Sequence, residues 1–309
     1  MRALWGHLAV AGAYAIFGLN IVFCKDIANA ALVSPIVLFT LRAIGASLLF
    51  WGLDLVRRCF TSAPVAEEKV SGGDLLRILA ASALGLFVPQ LTFLKAITIS
   101  TSIDTAIMGT LSPIFTMFFA FFFVGEPITG KKAGGVALSF CAVLFLIFNS
   151  FHATPSAASP AVTAPLGWAL LLLNSLSFSL YLGLFRPLIN RYSVMTFMKW
   201  MFLFSLLMSL PFSMKGMLAM DWSIIPGKVA WEIGYLIFFA TFVAYFLIPF
   251  GQQRIRPTLV SLYNYLQPII ATFVSIWVGL DVLTWQKVLA ISLIVAGVLL
   301  VNRSRAARS

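Results

Sequence analysis

The chain has 309 residues, 61% hydrophobic and 10% charged, with a mean hydropathy of +1.00, far from the roughly 45–50% apolar and 25% charged makeup of soluble domains. This is the composition of an integral membrane protein. It excludes a separate soluble catalytic or receptor domain, because a spanning helix takes about 20 residues and roughly ten of them use up the length.

Apolar runs predict spans over 7–24, 34–55, 75–97, 102–124 and 134–148, and a second set over 167–185, 194–212, 231–250, 258–280 and 285–301. Arg2, the first run and Ala28-Asn29-Ala30 resemble a secretory signal with its cleavage site. The run is longer than a signal's usual 7–15 residues, so it is expected to remain as the first span. Between the sets, residues 153–160 are rich in Pro, Ser and Ala and offer nothing to bury. The expected organisation is therefore a first five-helix unit over 1–150, a linker over 151–165 and a second five-helix unit over 166–309.

The net charge of +11 and pI near 9.9 do not imply nucleic acid, because the Lys and Arg residues lie scattered between apolar stretches. They fit a topology signal. With the N-terminus inside, fourteen of the 21 Lys and Arg fall on one side, five (Lys25, Lys95, Lys215, Lys228, Lys287) on the other, and Arg42 and Lys199 within spans. Both termini are thus expected in the cytoplasm. The three cysteines, Cys24, Cys59 and Cys141, form no CxxC pair and have only two histidines beside them, so neither a disulfide framework nor a metal site is implied.

Residues 109–143 can be laid over 264–298 at a constant shift of 155, pairing Leu111 with Leu266, Pro113 with Pro268, Glu126 with Asp281, Thr129 with Thr284, Lys132 with Lys287 and Val136 with Ile291. The matched proline, acid, threonine and lysine are not apolar filler. Earlier parts of the halves match less well, with Lys25 opposite Arg186 at a shift of 161. Two units of five spans each have an odd count, so the second enters the membrane from the opposite side. The fold class expected is an all-α membrane protein of ten transmembrane helices arranged as two inverted five-helix repeats, an architecture frequent among secondary transporters with a midplane site between the halves.

The stretch Phe17-Gly18-Leu19-Asn20, Arg42 in the second span, Thr101-Ser102 leading through Leu111-Ser112-Pro113 to Gly125-Glu126-Pro127, and the echo in Leu266-Gln267-Pro268 and Asp281 together resemble the drug/metabolite transporter superfamily, in its ten-helix EamA group of bacterial inner-membrane exporters. The resemblance covers roughly residues 5–303. Phe17, Leu19 and Asp281-Val282 depart from the family's usual Trp, Ser and Glu-Pro. What the resemblance implies is a transporter of small metabolites, often amino acids or xenobiotics, with a cavity framed by spans 1, 3, 4, 6, 8 and 9.

Polar side chains in hydrocarbon are costly and tend to face the bundle interior, which gives the list of candidates. Asn20, Gln90, Tyr181, Tyr245, Tyr263, Asn264 and Gln267 are the expected substrate-binding residues. Gln90, beside Pro89, carries two donors and an acceptor that lipid cannot satisfy. Tyr263, Asn264 and Gln267 share a broad helical face. Thr92, Thr110, Ser112, Asn174, Ser175, Ser177 and Tyr265 complete the polar list, the Ser and Thr with an alternative role as packing residues. Arg42, Asp104, Pro113 and Pro268 are expected to be structural or coupling residues. Arg42 is read as holding neighbouring carbonyls, and Asp104 as a helix N-terminal carboxylate after Thr101-Ser102, with proton exchange as the other possibility. Lys199 is read as snorkelling to lipid phosphates.

His7 and His152 lie at a span edge and in the linker, so no catalytic or metal set is expected within the membrane. The chain has no GxxxxGK[ST] loop for ATP. The expected function is a secondary transporter, exporting small organic metabolites across a bacterial inner membrane by alternating access, not an enzyme and without a cofactor. Its expected partners are the small-molecule substrate and the lipid bilayer, with no nucleic acid; oligomeric state stays open, as does the alternative of a membrane-anchored receptor or assembly subunit.

Overall fold

The computed structural model describes residues 2–60, 68–124, 129–152, 162–255, 260 and 263–302. Among the described residues every regular element is helical. The first half comprises α1 (Arg2–Ala30), α2 (Pro35–Phe60), α3 (Gly72–Thr98), α4 (Ser102–Gly109), α5 (Ser112–Val124) and α6 (Gly130–His152). The second comprises α7 (Pro165–Leu184), α8 (Arg186–Arg191), α9 (Val194–Ala219), α10 (Gly227–Gln252), α11 (Leu266–Trp277) after a 3₁₀ turn at Tyr263–Tyr265, and α12 (Trp285–Asn302). The linker stretch 153–160 and Gly125-Glu126-Pro127 lie outside the described residues, so of the matched pair Glu126 and Asp281 only Asp281 is described.

Among the described residues, seven stretches are long and apolar enough to cross a membrane: Leu4–Ala30, Pro35–Arg57, Gly72–Thr98, Ser102–Phe123, Pro165–Leu184, Val194–Ala219 and Gly227–Gln252. The shortest has 20 residues, about 30 Å of helix and enough for the hydrocarbon core. Trp285–Gly297 is apolar but shorter.

The expected span over 102–124 is two helices, broken at Thr110 and Leu111. Pro113 cannot donate to the carbonyl four residues back, that of Gly109. That carbonyl accepts instead from Asn264 Nδ2 at 2.6 Å. Within the expected span over 258–280 a 3₁₀ turn at Tyr263–Tyr265 likewise precedes the α-helix that starts at Leu266, since Pro268 removes the donor that would bond Asn264 O. The two prolines matched at a shift of 155 thus sit beside matched discontinuities. Asn264 and Gly109, 155 residues apart, bond directly to each other.

The helices pack in a reciprocal pattern. α1 lies against α10 and α11, while α7 lies against α3 and α5; α2 pairs with α9 and α6 with α12. Close approaches depend on missing side chains, and a Cβ on Gly18 of α1 would meet Ile270 of α11 at 2.8 Å. Both α3 and α10 carry a π-helical segment, at Ala83–Phe87 and Leu236–Val243, widening the turn and displacing carbonyls from their usual partners.

Candidate functional site: a central cavity between the halves

A cavity of about 80 Å³ lies where the two halves meet, lined by Tyr14, Phe17 and Asn20 of α1, Pro89, Gln90 and Phe93 of α3, Gly109 and Ser112 at the α4–α5 break, Asn174 and Phe178 of α7, Tyr245 of α10, and Asn264 and Gln267. At roughly 15 Å³ per water it holds about five waters. Its lining is five amides, five aromatic rings and small residues, with no charged side chain.

Local breaks in the helices deliver this lining. The displaced Leu84 carbonyl accepts from Ser177 Oγ at 2.7 Å, and Pro89 O accepts from Asn174 Nδ2 at 2.7 Å. On the same helix, Ser175 and Ser179 donate to Met108 O at 3.1 Å and Ser112 O at 2.9 Å, holding α7 to the α4–α5 break. Two polar faces of α7, Asn174 with Ser177 and Ser175 with Ser179, therefore satisfy the irregular backbone that lines the cavity, as intramembrane backbone requires.

The expected substrate-binding residues divide into two groups. Asn20, Gln90, Tyr245, Asn264 and Gln267 share the cavity. Gln90 Nε2 donates to Tyr245 Oη, whose ring meets Phe17 edge-on at 5.4 Å. Among the described residues, Gln90 Oε1 and Tyr14 Oη are buried without a hydrogen-bond partner. Asn20 Oδ1 accepts from the Cys24 thiol at 3.7 Å, and Gln267 Nε2 donates to Asn264 Oδ1. Asn264, using both ends of its amide, is a brace, whereas Gln90 and Tyr14 keep polar capacity for something else.

Tyr181 and Tyr263 lie outside that lining. Tyr181 is buried in the apolar core, its ring so close to the π segment of α3 that a Cβ on Gly85 would meet it at 2.6 Å. Tyr263 Oη bonds His7 Nδ1 at 2.9 Å, because the turn at Tyr263–Tyr265 directs it away from Asn264. Tyr14, Phe93 and Phe178 are lining residues that the polar list passes over. Their signal is spacing: Tyr14, Phe17 and Asn20 recur every three residues, Gln90 and Phe93 are three apart, and Asn174 and Phe178 four, each set falling on one helix face.

Arg42 stands beside the site, 1% exposed. It donates through Nε to Thr241 Oγ1 at 2.8 Å and through Nη1 to Cys24 Sγ at 3.9 Å. The expected carbonyl contacts are replaced, since Thr241 Oγ1 donates to the Leu236 carbonyl at 2.6 Å and the guanidinium reaches the hydroxyl instead. Lys199 does not snorkel: it is buried, paired with Asp54 at 2.8 Å and 4.7 Å from the Trp51 ring centre.

Polar clusters close the bundle at both ends. At one, Asp74 of α3 accepts from Arg191 at 2.8 Å and Tyr192 Oη at 2.7 Å, and the carboxylate hydrogen bond holds the Tyr192 phenol above its ordinary pKa. At the other, Asp104 Oδ2 accepts from Thr163 Oγ1 at 2.6 Å, and Thr101 caps α4 by accepting from Asp104 N at 3.1 Å. Asp281, paired with Lys287 at 2.8 Å, accepts from Ile103 N at 2.9 Å, while Lys25 donates to Ile97 O at 3.1 Å and Ser100 O at 2.7 Å.

Comparison with known proteins adds three findings. The model of the EamA-like transporter family matches residues 4–148 and again 165–303. A relative from Bacillus subtilis (strain 168), the uncharacterized transporter YetK, is 25% identical over 285 residues, covering 89% of this chain and 79% of its own length. A solved crystal structure superposes with a TM-score of 0.68 at 16% identity, covering 100% of this chain and 98% of the other, which speaks to the fold alone.

Proposed function

The chain belongs to the EamA-like transporter family, and from that membership we propose that it is a secondary transporter exporting small organic metabolites, amino acids or xenobiotics among them, across a bacterial inner membrane. In this reading the chain crosses the membrane ten times as two inverted repeats over 1–150 and 166–309, with both termini in the cytoplasm. The reciprocal packing of α1 and α7, the 155-residue match and the charge bias support it.

The observation that carries the reading is the cavity itself. It is built from both halves, framed by discontinuous helices, and presents two buried polar groups, Gln90 Oε1 and Tyr14 Oη, without partners. Groups of this kind are costly to bury unless water or a ligand answers them, so they offer hydrogen bonds to whatever displaces the water. At about 80 Å³ the cavity is smaller than the ~300–1,000 Å³ of most small-molecule sites, so a metabolite enters only when the halves move apart. Access from one side and then the other follows from rocking the halves about their shared contacts. The site binds and releases; it contains no nucleophile and base in register for chemistry.

Counterflow in proteoliposomes, run with a panel of amino acids and lipophilic cations, tests the reading. Exchange of a panel member that falls at least several-fold in Gln90→Ala is expected. Absence of flux for every member would favour a membrane-anchored role without transport.

A further inference from the structure

Where α1 ends and α10 begins, two carboxyl groups share one ammonium. Lys228 Nζ closes on Asp26 Oδ2 and lies 3.8 Å from Glu232 Oε1. The Glu232 side chain is 3% exposed, and among the described residues its Oε2 has no hydrogen-bond donor, while Asp26 takes the near side of the same ammonium. Both acids ionised against the one ammonium would leave a negative charge on the pair, and of the two only the Glu232 carboxyl is withdrawn from water, which favours its neutral form.

We propose that Asp26 and Glu232, with Lys228, form a proton-binding site at this seam between the halves, distinct from the central cavity, and that its proton couples transport to the pH gradient. The proton comes from water and adds to the Glu232 carboxylate, leaving Asp26 as the carboxylate paired with Lys228. When α1 and α10 part, water reaches Glu232 and takes the proton back. The remaining charged and titratable groups around the pair leave this role to it. On α1, Cys24 is engaged with Asn20 and Arg42, and Lys25 is turned to the carbonyls of Ile97 and Ser100. From α2, Arg42 is directed to Thr241. On α10, Tyr235 donates to Ile16 O at 3.4 Å. The seam joins α1 to α10, so it changes whenever the halves rock, which is what a coupling site requires. The coupling rests on the transport reading; the proton site does not.

Infrared titration of the purified protein reads the site without a substrate. At pH 7 the wild type is expected to show a protonated-carboxyl C=O band that is lost in Glu232→Gln and retained in Asp104→Asn. Asp26→Asn, a second variant should Glu232→Gln not fold, is expected to weaken the band at pH 7 by removing the neighbouring negative charge that favours the protonated Glu232. Absence of the band at pH 7, or its survival unchanged in Glu232→Gln, overturns the site. In proteoliposomes an imposed pH gradient is then expected to drive accumulation of whichever amino acid shows counterflow, and Glu232→Gln to abolish that accumulation. Wild-type counterflow indifferent to the gradient would overturn the coupling while leaving the transport reading intact.

Discussion

At the scale of single residues, the two amides nearest the heart of the cavity have different work. Asn264 spends its amide on Gly109 O and on Gln267, so Asn264→Ala strands a carbonyl that Pro113 has already deprived of its helical donor. That should cost about 1–3 kcal/mol, the penalty of an unsatisfied buried group, read as a lower melting temperature in detergent. Gln90 has one end on Tyr245 and the other unpartnered. Gln90→Ala should cost only about 1 kcal/mol, a typical net hydrogen bond, while substrate exchange falls much further. Equal losses of stability in the two variants would remove the distinction. Both amides were legible in the sequence because lipid cannot satisfy them. Their division of labour was not, since it depends on Gly109 standing opposite Asn264, a contact between residues 155 apart.

At the scale of elements, Pro113 and Pro268 were readable as matched positions, and each breaks a helix for the same physical reason. The π segments of α3 and α10 had no readable signal, because no residue type enforces a wide turn as proline enforces a break. Tyr181 illustrates the consequence: its side chain was expected among the binding residues, yet the π segment brings Gly85 against its ring and buries the tyrosine in the core. Gly85→Ala should therefore overpack this contact and cost about 1–3 kcal/mol. Combining it with Tyr181→Leu should recover part of the loss, since contacting sites are not additive. Thermal unfolding of the two single variants and the double variant checks this; strictly additive losses would mean that the ring does not constrain α3.

At the scale of the whole molecule, composition fixes the membrane setting and the 155-residue match suggests the two halves, whereas the way the halves exchange helices arises from packing that no local pattern encodes. The charge bias concerns how the bundle sits in the bilayer. A cysteine at Ser309, with Cys24, Cys59 and Cys141 replaced, should resist an impermeant thiol reagent in intact cells and react once the membrane is opened. Labelling in intact cells would reverse the orientation. The central claim, that one cavity is reached alternately from the two sides, is tested most directly by placing a cysteine at Ser112, a lining position, in the same background. Applied to right-side-out and inside-out vesicles separately, an impermeant reagent is expected to modify it from either side, with a transported substrate slowing both reactions. Modification from one side only, or from neither, would contradict alternating access.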